Sequence, residues 1–270
     1  MEYALPVAPG PLTQFGRALA ADTLKLRRTA ALWLALGGGA LPVLLNLLIF
    51  YFKGQFIVKA GDNPWPQYIG MSWQTASVLL LPMFLVLLSG LVVNLENRGG
   101  WRQLLAQPLS RGSVFSSKLL LLLGLNAVAQ VMYVGLLLAA GVLLGWLKPD
   151  LGFQSHSISL PPVLRLLGHT YVATLGVLGI QYALALAFRG FVGPLAVGIA
   201  GIVSALTLLR WEHIDLVPYA APTRVLGLLK GDAQLHVAAA LSPAEWYSLG
   251  WFALAVLVGY ALLLRRPVTD

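Results

Sequence analysis

Four histidines are the first residues to weigh for chemistry: His156, His169, His213 and His236. They are far apart in sequence, and no HExxH motif sets two of them on one helical face as a zinc site would require. Three fall in segments that read as loops. His169 alone lies about one turn inside an apolar run, and an ionisable residue there is a functional suspect. No Asp or Glu is near it in sequence, so a hydrogen-bonded packing histidine is the preferred reading over a catalytic or metal role. Cysteine is absent, which removes disulfides, iron–sulfur clusters, thiolate zinc sites and thiol nucleophiles. Neither GxxxxGK[ST] nor GxSxG occurs. The chain therefore cannot cradle nucleotide phosphates by itself and has no serine-hydrolase elbow. No catalytic residue, metal or cofactor is expected in this chain.

The remaining polar side chains in apolar surroundings are uncharged: Asn46, Gln74, Asn126, Gln130 and Gln181. Such groups hydrogen-bond between helices, worth about 0.5–2 kcal/mol each. Helix–helix glue is the preferred reading; Asn126, Gln130 and Gln181 are the candidates for a substrate path. Gly141 and Gly145 form one GxxxG, a spacing that permits close helix packing. A carrier driven by its own ion gradient keeps a charged group at mid-membrane. None is evident, so energy for transport is expected from outside the chain.

The elements that must hold these residues follow from composition. The chain has 270 residues, 58% hydrophobic and only 10% charged, where soluble domains carry about 25% charged residues. So few charges cannot cover a soluble surface, and the chain reads as an all-α integral membrane protein. Charge-free runs long enough for about 30 Å of hydrocarbon occur at residues 29–52, 73–95, 119–147, 166–188, 190–209 and 246–264. They predict one six-span domain over 29–266, with a cytoplasmic segment 1–28 and a tail 267–270. Trp65, Tyr68 and Trp73 are expected as interfacial anchors where the second span begins.

Six spans put both termini on one side. That side holds eleven Lys and Arg against seven on the other, and fewer acids, so its charge is +7 against +1 of the total +8. The positive-inside rule makes it cytoplasmic, and the excess charge calls for no nucleic acid. Residues 1–28 are not expected to be a cleavable signal peptide. On a helical wheel Leu12, Phe15, Leu19 and Leu26 share a sector opposite Arg17, Lys25 and Arg28. This predicts an amphipathic helix on the cytoplasmic leaflet, with Phe15, Leu19, Lys25, Arg27 and Arg28 at the membrane interface. A plain basic flank is the alternative. Residues 210–245 form the largest outer segment, and its apolar stretch 225–229 is too short to span. It reads as a re-entrant or surface helix, or as a covered loop.

Residues 96–118 form the largest cytoplasmic connection. Trp101, Leu104 and Leu105 lie at i, i+3 and i+4, on one helical face. Gly99-Gly100 breaks the preceding helix, Pro108 ends the short one, and Ser110 or Ser113 can cap the helix that follows. A short amphipathic helix parallel to the membrane results. It suits a lever gripped by a cytoplasmic partner, or equally a loop anchored to lipid headgroups by Trp101 and Arg102.

The string Glu96…Gly100-Trp101-Arg102-Gln103-Leu104-Leu105…Pro108-Leu109-Ser110-Arg111…Lys118 resembles the signature loop of ABC-2 type transporter permeases. Its aromatic-basic-x-leucine form is similar to permeases of lantibiotic or bacitracin self-protection. The resemblance implies a permease subunit of an ATP-driven exporter in a bacterial inner membrane. It also implies a second permease copy or paralogue and an ATP-binding cassette subunit that carries ATP and Mg. The loop helix corresponds to a coupling helix that docks on the ATPase. Trp101, Leu104 and Leu105 would form the docking face, with Pro108 closing the turn. Arg102 and Arg111 would meet ATPase carboxylates or lipid phosphates. Glu96 would bridge to the basic N-terminal helix, and 210–245 would be an outer gate or receptor. An amphipathic peptide antibiotic or lipid-like compound fits as substrate. An ATP-independent channel, carrier or scaffold is the alternative, and an intramembrane redox or enzyme subunit a weaker one.

Overall fold

Long uncharged runs can satisfy their backbone polar groups inside a bilayer only as helices, and helices dominate this chain. A computed structural model describes residues 10–27, 29–59, 61–94, 110–188, 190–230 and 236–265. The first helix, α1, is Pro11–Leu26. A broken unit follows, α2 Ala30–Gly37 and α3 Ala40–Ile57. The next unit joins α4 Pro64–Thr75 and α5 Leu81–Asn94 through a π-helical turn at Ala76–Leu80. Then come α6 Arg111–Leu147, α7 Leu160–Ala187, α8 Val192–Thr207, a single turn α9 Ala221–Arg224, and α10 Pro243–Arg265. The only departure from helix and turn among the described residues is a two-residue antiparallel ladder, β1 Leu229–Lys230 against β2 His236–Val237.

Five units are long and apolar enough to cross a membrane: Ala30–Ile57, Pro64–Asn94, Arg111–Leu147, Leu160–Ala187 and Pro243–Arg265. The sixth apolar helix, α8, has only 16 residues, about 24 Å at 1.5 Å per residue. The run 190–209 yields a shorter helix because its ends are spent on turns. Elsewhere the helices run past the charge-free stretches. The second unit starts at Pro64, where Asn63 caps it by accepting from Trp65 N at 3.1 Å. The third starts at Arg111, capped by Ser110 rather than Ser113 (Ser113 N to Ser110 Oγ, 3.1 Å).

That early start corrects one expectation. Trp65, Tyr68 and Trp73 are not interfacial anchors but core residues, 5%, 0% and 2% exposed. They lie on the face of α4 that packs on α6. Phe50 stacks edge-on against Tyr68, Phe153 against Trp65 and Tyr68, and Tyr133 against Trp73, closing a core at the end of the bundle away from the termini. A second core, around Leu85, Leu122 and Leu178, takes in Leu26 of α1 and Leu263 of α10 and extends to Ile214 and Tyr219.

Segment 210–228 takes the covered-loop form among the alternatives expected for it. It tucks between α7, α8 and α10, and Tyr219, Ala220, Ala221 and Val225 are buried. The apolar stretch 225–229 is a 3-10 turn running into β1. Tyr219 lies against Gly201, where a Cβ would come within 2.6 Å of its ring. Only glycine lets the phenol reach this depth.

Candidate functional site

At the terminal end of the bundle, the segment that opens α6 is bound from three directions. Asp22, on the inner face of α1 with Ala18 and Leu26, is 7% exposed. Its Oδ1 takes a hydrogen bond from Lys118 Nζ at 3.1 Å, and its Oδ2 one from Ser117 Oγ at 2.8 Å. Lys118 is itself 2% exposed, so both members of the ion pair are out of water. Further toward the chain ends, Ser110 N donates to Gln14 Oε1 at 3.0 Å. Arg111 Nη1 donates to the carbonyls of Leu263 and Leu264. From the third direction, Tyr182 on α7 donates to Phe115 O at 3.0 Å.

These contacts place several expected site residues. Phe15 and Leu19 are half-buried beside the Asp22 face, and Lys25 and Arg27 are exposed. Arg111 is partly engaged within the chain through Nη1. Its guanidinium satisfies last-turn carbonyls of α10, which have no partner inside their own helix. Glu96, Trp101, Arg102, Leu104, Leu105, Pro108 and Arg28 lie outside the described residues. Asp22 was missed because a sequence count treats it as one acid among basic residues. Its helical register with Ala18 and Leu26 was the available signal.

The substrate-path candidates divide. Asn126 and Gln130 come together: Asn126 Nδ2 donates to Thr174 Oγ1 at 3.0 Å, and Gln130 Nε2 to Asn126 Oδ1 at 3.1 Å and Thr174 Oγ1 at 3.2 Å. Gln181 is in a separate cluster, donating from Nε2 to the Tyr219 hydroxyl at 2.6 Å, with its Oε1 unpartnered among the described residues. The Gln181 bond pins the inserted 218–222 segment to α7. Tyr219→Phe leaves the Gln181 amide wholly unpaired in the core and is expected to cost about 1–3 kcal/mol. Adding Gln181→Leu removes the orphan and should restore most of the loss. Thermal midpoints of the purified protein check both; equal midpoints for wild type and Tyr219→Phe would refute it.

His169 is a buried, hydrogen-bonded packing histidine, as expected, but its partners could not be read from the sequence. It has no acid nearby in sequence, yet the fold brings Glu245 to it: Nδ1 lies 2.7 Å from Glu245 Oε1, and Nε2 lies 2.8 Å from Ala238 O. A carbonyl only accepts, so Nε2 is the donor to Ala238 O. Glu245 Oε2 also takes bonds from Ser242 N at 2.6 Å and Ser242 Oγ at 2.8 Å. Ser242-Pro243-Ala244-Glu245 is the S-x-x-E pattern of a capping box with proline at the first helical position, a signal legible in the sequence. The cluster ties the 236–242 segment to α7 and α10. Among the described residues, no three His, Asp or Glu gather as a metal site would need.

No curated protein matches the chain. Residues 18–205, from within α1 through most of α8, match the family described as ABC-2 family transporter protein. With more than half of its length so matched, this multi-pass membrane chain belongs to the ABC-2 family of transporter proteins, as a permease component.

Proposed function

We propose that the chain is the membrane subunit of an ATP-driven exporter. Family membership implies an ATP-binding partner subunit in general. The observation that carries the rest is the set of ties on residues 110–118. These residues directly follow the 96–109 loop and are bonded to α1, α7 and α10. A push delivered to that loop would reach three helices through these hydrogen bonds, of which the Lys118–Asp22 contact is buried and charge-assisted.

In this reading Trp101, Leu104 and Leu105 dock in a groove of the ATPase, Arg102 pairs with its acidic rim, and Glu96 faces the basic N-terminal helix. ATP and Mg bind the partner only. The chain crosses a bacterial inner membrane six times, α8 included, with both termini in the cytoplasm and α1 on the inner leaflet. It works as a homo- or heterodimer. The substrate class that fits is an amphipathic compound such as a peptide antibiotic or a lipid-like molecule.

Co-expression with candidate ATP-binding subunits tests this. A cassette subunit is expected to copurify. Trp101→Ala with Arg102→Ala should lower transport-coupled ATP hydrolysis by at least about tenfold, the loss of one interfacial aromatic and one Arg anchor, while the chain still inserts. Failure to capture any ATPase, together with unchanged transport by the double variant, would overturn the reading.

A further inference from the structure

Three segments converge at the end of the bundle away from the termini: the start of α4, the 148–159 connection between α6 and α7, and β2. Between them lies an open groove of about 440 Å³, a volume within the range of small-molecule sites. Long-range bonds fix its walls. Trp65 Nε1 donates to Phe153 O and His156 O, which holds the connection against α4. His169 Nε2 donates to Ala238 O, which holds the chain just after β2 against α7. The buried Trp65, Ile69 and Val237 give the groove an apolar base. Pro66 and Pro162, which carry no N–H, also line it.

The polar lining is Asn63, Ser157, Ser159 and Arg165. Ser157, Ser159 and Arg165 are exposed and Asn63 is half-buried, so a ligand in the groove can reach all four. Arg165 carries the one charge among the described lining residues and has no hydrogen-bond or ion-pair partner among them. Asn63 Oδ1 is taken by Trp65 N, which leaves its amide hydrogens to donate. The free groups are therefore a guanidinium, an amide NH₂ and two hydroxyls, with no carboxylate beside them. Such a set fits an anion rich in acceptor oxygens, and a guanidinium fork matches phosphate. Arg165 lies five residues into α7, about 7.5 Å along its axis, and helical side chains lean back toward the N-terminus. The guanidinium thus returns to the level of Ser157 and Ser159. Leu160 and Leu164 beside it are exposed, on a helix long and apolar enough to cross a membrane. Acyl chains would run alongside the residue that holds their head.

We propose that this groove binds an anionic phosphodiester that carries hydroxyls and no ammonium, the head of a phosphatidylglycerol in the leaflet at this end of the bundle. Arg165 and Asn63 hold the phosphate, and Ser157 and Ser159 meet the hydroxyls of the glycerol head. The head of phosphatidylethanolamine or phosphatidylcholine brings the same phosphate together with a cation. That cation would find no acid in the lining and would stand near the Arg165 charge. The deacylated head in solution, glycerophosphoglycerol, shares the chemistry and is the other source. The buried His169–Glu245 pair gains a role here, as the clamp that keeps the Val237 wall in place. The site lies within one chain and needs neither a second copy nor an ATPase, so it stands or falls apart from the transport reading.

The test uses the purified full chain in phosphatidylcholine nanodiscs that contain a little phosphatidylglycerol with a diazirine in its head. The probe is expected to label peptides covering 63–69 and 157–165. Unlabelled phosphatidylglycerol should compete at least about tenfold better than phosphatidylethanolamine of the same chains, the worth of one charge-assisted contact. Arg165→Gln should cut labelling about tenfold, and Ser157→Ala with Ser159→Ala about fivefold. Arg165→Lys keeps the charge without the fork and should fall between wild type and Arg165→Gln. All these side chains are exposed, so thermal midpoints should stay at the wild-type value. Arg210→Gln removes another exposed cation and should leave labelling unchanged; an equal loss there would mean that surface charge alone attracts the probe and would overturn the site. Soluble glycerophosphoglycerol separates the sources. If it displaces the probe, the ligand comes from solution, and if it does not, the bilayer supplies it; both outcomes support the groove. Equal competition by phosphatidylethanolamine, labelling indifferent to Arg165→Gln, or no label on these peptides in protein of wild-type midpoint would each overturn the proposal.

Discussion

Lys118→Met is expected to destabilise the chain by about 3–5 kcal/mol, and adding Asp22→Asn should recover most of that loss. The reasoning rests on burial. The Asp22 carboxylate is 7% exposed and takes its two hydrogen bonds from Lys118 and Ser117. Removing the ammonium leaves an anion in a low-dielectric interior with one hydroxyl to hold it, and desolvation of that charge then has no electrostatic offset. Converting Asp22 to the neutral amide removes the charge and keeps an acceptor for Ser117. Asp22→Asn alone should therefore be milder than Lys118→Met. Thermal midpoints of the four proteins of the cycle, in detergent, read the coupling. Additive losses, with the double variant the worst of the four, would mean the pair contributes nothing as a pair. In a reconstituted transporter the same Lys118→Met should lower substrate flux more than ATP hydrolysis, since the tie carries motion from the loop into α1.

Gly141→Leu should disrupt the opposite end of the bundle as severely. A Cβ at Gly141 would stand 2.4 Å and 2.6 Å from two ring carbons of Trp65. The indole cannot retreat, because its Nε1 donates to both Phe153 O and His156 O at 3.2 Å. Its ring is also held edge-on to Phe153 at 5.1 Å. Alanine should already cost about 1–3 kcal/mol by overpacking, and leucine should prevent α4 from seating on α6. Gly135, on the same helix, is the control: nothing lies within 4 Å of its would-be Cβ. Gly135→Ala should be neutral or raise the midpoint, as helix propensity favours alanine by about 1 kcal/mol. Protease sensitivity of the 148–159 connection reports the loss of packing directly. If Gly141→Ala and Gly135→Ala behave alike, the close approach of Trp65 is not a determinant of the fold.

The contrast between these two glycines shows where sequence reading stopped. The GxxxG of Gly141 and Gly145 marked a helix able to pack closely, yet it did not say that Trp65 was the residue packed there. Trp65, Tyr68 and Trp73 read as interfacial anchors because aromatic residues at the start of an apolar run usually are. Their burial depends on α4 beginning at Pro64 and on which face then meets α6. In the same way Glu245 looked like an outer-loop acid and His169 like an isolated ring. The capping pattern Ser242-Pro243-Ala244-Glu245 was there to be read, but the distance from Glu245 to His169 was not.

By itself the sequence determined that this chain is a helical membrane protein with a polar, proline-containing stretch between two apolar runs. Hydropathy, charge bias and helix breakers act over a few residues, and the bilayer thickness turns them into segment lengths. Only the tertiary structure decided which polar groups meet. Asp22 found Lys118 across 96 positions, His169 found Glu245 across 76, and Gln181 found Tyr219 across 38. Such partnerships depend on the rotation of each helix about its axis and on its depth against its neighbours. Those are set by packing summed over many side chains, a non-local quantity that no window of sequence contains.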